Sequence, residues 1–260
     1  MKRLFFASFA LLSCVMCSAQ TTSGLCMLAA SQPENRPPAM QMMLSESNCE
    51  KRTGDCTEME HSDVDWNRWS GISLQSLQNE GAQLSAHMTG DAGDLVCDGV
   101  VHDATLTGHF RFNANPSFAM SMAALGFDGI TQHKQLGYLI LDVNLAWVKQ
   151  IQSLGVTELS TSKLMGLRAL HVDADYIHAM AAAGYPELRA GKLTEMKAVG
   201  VTPEKAHDAK AMGFHPDEQE LIQMSIFKID KPFVDRMRSR GLNDLTVAKL
   251  IKIKIFKLEE

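Results

Sequence analysis

Aromatic residues are scarce in this chain, at 7% of 260 residues with three tryptophans and three tyrosines. Methionine is plentiful instead, at 16, and its unbranched, adaptable side chain suits the core of small packed helices. Basic residues do not exceed acidic ones: 25 Lys and Arg face 30 Asp and Glu, a net charge of -5. That balance speaks against a general nucleic-acid binder. The common chemical motifs are missing too. There is no Gly-x-Ser-x-Gly elbow, no papain-type cysteine context and no His-Glu-x-x-His. Gly90, Gly93 and Gly99 match neither a phosphate loop nor a dinucleotide fingerprint. Beyond residue 19 the cysteines and histidines lack the CxxC and His-x3-His spacings that zinc sites favour. These absences point to no catalytic residue, no cofactor and no metal, although groups assembled from distant positions leave no such mark. The hydrophobic fraction of 45% and charged fraction of 21% are those of an ordinary globular protein.

The N-terminus carries an export pattern. Lys2 and Arg3 precede an apolar stretch from Leu4 to Met16, and Cys17-Ser18-Ala19 offers small residues before Gln20. This reads as a signal peptide over 1–19, too short to be a membrane-spanning helix of about 20 residues. A lipoprotein reading rests on Leu11-Leu12-Ser13-Cys14. Beyond the signal lie Cys26, Cys49, Cys56 and Cys97, an even number suited to disulfides in a periplasmic or extracellular compartment. Sequence alone does not choose among the three pairings.

Residues 20–65 read as a flexible, cysteine-bearing arm. Pro33, Pro37 and Pro38 break regular structure, Ser45 to Asp65 is polar, and Met40 to Leu44 suggests one helical turn. Residues 66–113 then read as a small antiparallel β module. Its strands are expected near Trp69–Leu74, Gln83–Met88, Asp94–Val101 and Ala104–Phe112, with a helical turn at Leu74 to Gln78. In the last strand Leu106, Gly108, Phe110 and Phe112 share one face.

Residues 114–260 carry the strongest pattern. Gly126, Gly155, Gly184, Gly213 and Gly241 stand 29, 29, 29 and 28 residues apart. Twelve residues before the last four lie Val143, Val172, Val201 and Ile229, each followed by an N-capping residue: Asn144, Asp173, Thr202 or Asp230. Each glycine reads as the left-handed residue that closes a short helix. A second helix follows each, with apolar stripes such as Leu164, Leu167, Leu170 and Leu250, Ile253, Phe256. The fold class is therefore α+β: a small antiparallel sheet, then a solenoid-like array of about five units of ~29 residues. The copy after Gly213 is one residue short and the least regular.

The pattern Cys97-Asp98-Gly99 … Thr107-Gly108-His109-Phe110-Arg111-Phe112 runs into Asn115-Pro116-Ser117-Phe118 and Ala124-Leu125-Gly126-Phe127. Units such as Val201-Thr202-Pro203-Glu204 … Met212-Gly213-Phe214 follow. From Trp66 onward this resembles exported regions of uncharacterised bacterial proteins, some attached to penicillin-sensor-type membrane zinc peptidases. The resemblance implies an extracytoplasmic sensing or interaction module. Peptidase activity does not carry over, because the zinc motif is missing.

Three uses are weighed on these residues. One is a non-enzymatic module that binds a protein through the array. Another is a hydrolase or ligand-processing enzyme with its site between sheet and array. A third is a peripheral binder of anionic membrane surfaces through the basic C-terminus. From Lys228 to Lys257 there are nine Lys or Arg against Asp230, Asp235 and Asp244. Arg236, Arg238, Arg240, Lys249, Lys252, Lys254 and Lys257 are the candidate partner contacts. Lys252 and Lys254 alternate with Ile251, Ile253 and Ile255, which makes the last helix less regular than its predecessors. Asp173 with Asp175, and His171 with His178, are better explained as a helix cap and solvated histidines.

Overall fold

The structure, a computed structural model, describes residues 21–31, 38–46 and 58–258. The signal-peptide segment, Cys49 and Cys56 lie outside the described residues. A seven-stranded sheet comes first. Its strands are β1 (Thr21–Ser31), β2 (Ala39–Glu46), β3 (Glu58–Val64), β4 (Trp69–Ser70), β5 (Gln83–Gly90), β6 (Gly93–His102) and β7 (Thr105–Ala114). Their order is β3-β2-β1-β7-β6-β5-β4, with every neighbouring pair antiparallel.

Residues 20–65, expected as a flexible arm, thus supply three strands. In β1, Thr22, Cys26 and Leu28 point inward while Leu25 and Met27 sit on the outer face, so apolar residues on both sides hide the two-residue period. In β2, Met40, Met42 and Leu44 are buried where a helical turn was expected. Methionine favours helices on its own, and pairing with β1 and β3 overrides that preference. The strand expected at Trp69–Leu74 shrinks to Trp69–Ser70, and the turn after it is 3-10 over Ser76–Gln78.

Cys26 of β1 and Cys97 of β6 form a disulfide, although β7 lies between their strands. Strands two places apart in a flat sheet are about 9.5 Å from one another. These two Cα atoms are only 6.2 Å apart, so the sheet creases across β7. Gly108 sits in the crease, opposite both Cys26 and Gly99. A Cβ there would lie 2.0 Å from the Asp98 carbonyl oxygen, which leaves room only for glycine.

Ten helices of nine residues follow. They are α1 (Pro116–Ala124), α2 (Gln132–Ile140), α3 (Leu145–Ser153), α4 (Thr161–Ala169), α5 (Ala174–Ala182), α6 (Ala190–Ala198), α7 (Pro203–Ala211), α8 (Glu218–Ile226), α9 (Lys231–Ser239) and α10 (Val247–Ile255). The odd helices end at the five periodic glycines, all with φ between 76° and 101°. The even helices end at a second left-handed column, Asp142, His171, Gly200, Lys228 and Lys257. Only one of these is glycine, so composition gave no sign of the column. Asn144, Asp173, Thr202 and Asp230 all cap as expected, each accepting the backbone N–H three residues on. The C-terminal segment is helical despite its alternation, because Thr246 caps it and Leu250 is fully buried.

Packing follows the repeat: α4, α6, α8 and α10 stack in one row, while α1 stacks on α3 and α5 on α7. Helix α2 lies against β5, β6 and β7 and joins the array to the sheet. One hydrophobic core runs through both parts.

Candidate binding site: a pocket in the fourth repeat

The site is built from two columns of the repeat. The third residue of an odd helix is Phe118, Trp147, Tyr176, Lys205 or Phe233. The eighth residue of the even helix that follows is Leu139, Arg168, Lys197, Ser225 or Lys254. In repeats two, three and five the two columns meet as a cation over an aromatic ring. Arg168 lies 5.4 Å from the centre of Trp147, Lys197 4.2 Å from Tyr176 and Lys254 4.1 Å from Phe233. The ring is buried each time, and the cation shields it from water. The Tyr176 hydroxyl also donates to the carbonyl of Val201, at 3.0 Å. Burial pushes this phenol up to about 12, so it stays protonated and keeps donating.

The fourth repeat inverts the pair. Lys205 stands in the ring column and Ser225 in the cation column, and the Lys205 ammonium donates to Ser225 Oγ at 3.1 Å. It donates also to the Gly200 carbonyl at 2.7 Å, back toward the end of α6. An exposed lysine stands where the other repeats bury a ring, and it lines a pocket of about 270 Å³. Met212, Leu221, Met224 and Ile229 floor it, and Lys205, Lys228 and Lys231 rim it with Asp208 and Asp230. Asp230 is occupied as the cap of α9 and Lys231 pairs with Asp235 at 2.5 Å. An apolar floor with a few polar groups at its edge is the usual make-up of a small-ligand site.

A larger cleft of about 440 Å³ lies where the sheet meets the array. Its charged groups hold structure. Arg68 donates to the carbonyls of Leu139 and Ile140, both at 2.5 Å, and Arg168 donates to that of Leu141 at 3.2 Å. Two guanidiniums thereby satisfy three successive carbonyls at the negative end of α2. Arg168 also pairs with Asp142 at 2.5 Å, and Asp65 caps the 3-10 turn at Trp66–Arg68. Burial lowers the Arg68 guanidinium, and the Asp142 carboxylate works against it. His61 also lines the cleft, and burial lowers its imidazole below the ordinary value, which favours the neutral ring. His171 is there too, held in its left-handed turn.

The basic C-terminal residues enter several separate contacts within the last repeats. Arg236 and Lys254 both lie over the Phe233 ring, and Arg238 donates to the Met212 carbonyl at 2.7 Å. Lys249 is tied to Asp244, Arg240 caps α9 and Lys257 ends α10 in a left-handed turn. Lys252 lines a shallow groove with Leu242, Ile253 and Leu258 at the last repeat. Arg238 belongs to a ladder that includes Gln152, Arg168, Lys210 and Ser225. Each donates to a carbonyl at the end of the equivalent helix one repeat earlier. Sequence reasoning had no means to see this ladder, since its members share only the ability to donate. The fourth-repeat pocket was legible in principle, from one lysine in a column of rings.

Among the described residues no helix is long and apolar enough to cross a membrane, and no cluster of His, Cys, Asp and Glu could hold a metal. The buried Cys26–Cys97 bond is compatible with an exported protein. No family profile, curated protein or solved structure matches the chain.

Proposed function

We propose that this is a non-catalytic, extracytoplasmic interaction or sensing module, exported to the periplasm or beyond, whose array holds a partner through the fourth-repeat pocket. The observation that carries this reading is the exchange at Lys205 and Ser225. It opens an apolar, lysine-rimmed pocket at the one repeat whose ring column, filled by Phe118, Trp147, Tyr176 and Phe233 elsewhere, holds no ring. The stacked repeats supply an extended surface around it. The resemblance to regions attached to penicillin-sensor-type peptidases, the export pattern at the N-terminus and the disulfide point the same way.

The test is a cross-linking pull-down from envelope extract with mature chain from Gln20 onward. A Lys205→Tyr/Ser225→Lys variant fills the pocket with the third repeat's own pair. A protein captured by the parent and lost by this variant supports the reading. Loss confined to a variant changed at Arg240 and Lys252 would move the contact to the basic C-terminus. Capture of nothing by well-folded parent protein would end the proposal.

A second reading has one observation behind it. His61, a half-buried imidazole held toward its neutral form, faces the seam cleft and has the protonation state of a general base. A hydrolase sited there would lose activity on His61→Gln with its fold intact.

A further inference from the structure

The ring column is filled by the buried Phe118, Trp147, Tyr176 and Phe233 in the other repeats, so the fourth repeat describes by difference what belongs in it. We infer that the pocket takes a para-hydroxyphenyl group carrying a carboxylate: a free phenolic acid or the C-terminal tyrosine of a peptide. The inference rests on the reading of this pocket as the binding site and names its ligand.

The ring requirement comes from the neighbouring repeats. The floor residues Met212, Met224 and Ile229 stand where Ala183, Met196 and Val201 stand around Tyr176. Tyr176, Trp147 and Phe233 are each buried within the core at the equivalent position. The hydroxyl requirement comes from the Tyr176 contact to the Val201 carbonyl. The Ile229 carbonyl holds the equivalent place in the pocket and would accept from a phenol entering ring-first. The carboxylate requirement comes from the rim. With Lys231 paired to Asp235 and Asp230 capping α9, Lys205 and Lys228 stand there against Asp208. Lys205 replaces a ring, and Lys228 sits where the third repeat has Gly200. The repeat that loses its ring thus gains Lys205 and Lys228 at the rim, while Ser225 takes the place of the column's own cation. A cation beside a ring face and an ammonium near a carboxylate are both favourable contacts.

The experiment uses mature chain from Gln20 labelled with 13C at the methionine methyls, since Met212 and Met224 floor the pocket. The probes are 3-(4-hydroxyphenyl)propionate, a hexapeptide ending in tyrosine, 3-phenylpropionate and tyramine. The first two are expected to shift the Met212 and Met224 methyls to saturation. Tyramine, with its charge reversed, is expected to bind about tenfold more weakly or worse. Lys205→Tyr/Ser225→Lys should abolish the shifts. Lys228→Glu, an exposed change, should weaken the acids and spare the fold. Tighter binding by the peptide than by the free acid identifies a chain terminus as the source, and the reverse identifies a small molecule. Equal affinity for tyramine and the acids, or no shift with any probe, overturns the inference. If no probe binds while the pull-down partner is still lost on Lys205→Tyr/Ser225→Lys, the pocket stands as the contact and only the ligand class fails.

Discussion

The Lys205 ammonium donates to Ser225 Oγ at 3.1 Å, and these two residues hold the positions that Tyr176 and Lys197 hold one repeat earlier. The inversion keeps a contact between the columns but removes the ring. Moving it should move the pocket. Tyr176→Lys/Lys197→Ser transplants the fourth-repeat pair into the third repeat. It should cost about 2–4 kcal/mol, since a buried ring is lost and the cavity is only partly refilled. Denaturant unfolding would measure this, and a cost below about 0.5 kcal/mol would mean that the ring does not hold the two helices together.

The disulfide should matter more than its place in a sheet suggests. Cys26 and Cys97 are 71 residues apart in sequence and bridge strands that are not neighbours. Cys97→Ser should lower stability by about 2–4 kcal/mol, or roughly 5–15 °C in Tm. A melt of parent protein with and without reductant would show the same difference. No change on reduction would place the crease under the control of Gly108 and packing alone.

All three tyrosines donate to a backbone carbonyl farther along the array: Tyr138 to Thr161, Tyr176 to Val201 and Tyr185 to Pro216. Burial raises all three, Tyr138 and Tyr176 up to about 12. These phenols are raised in the folded state, so their contribution is complete below pH 10 and is lost as pH climbs toward 12. An ultraviolet titration should show little tyrosinate at pH 10 and a steep rise that coincides with alkaline unfolding. Reversible ionisation near pH 10 in folded protein would contradict the buried placement.

His61 gives the opposite dependence. Burial lowers its imidazole, so the unfolded chain takes up a proton first as pH falls below about 6.5, and stability drops from there downward. The Tm difference between pH 7.5 and 5.5 should shrink in His61→Gln. An unchanged difference would show that His61 does not carry the acid sensitivity.

The array was legible in the sequence because glycine marks a positive φ and because Asn144, Asp173, Thr202 and Asp230 repeat in step with it. The even helices were harder to place, since Asp142, His171 and Lys228 adopt the same left-handed turn without a glycine to announce it. Strands β1 and β2 were missed for a different reason. Their stability comes from pairing with other strands, β7 far along the chain and β3 next in order, and not from local propensity. The pocket itself is a departure from a pattern. It becomes visible only when Lys205 and Ser225 are set beside Trp147 and Arg168, Tyr176 and Lys197, and Phe233 and Lys254.

The most direct measurement is the thermal melt of Lys205→Tyr/Ser225→Lys beside parent protein, because it asks whether the fourth repeat has room for the ring its neighbours contain. The account predicts that Tm rises by about 2–6 °C, as a buried ring and its cation add roughly 1–2 kcal/mol. A fall in Tm would show the ring forced into space that is already filled, and would contradict the pocket on which the proposed function stands.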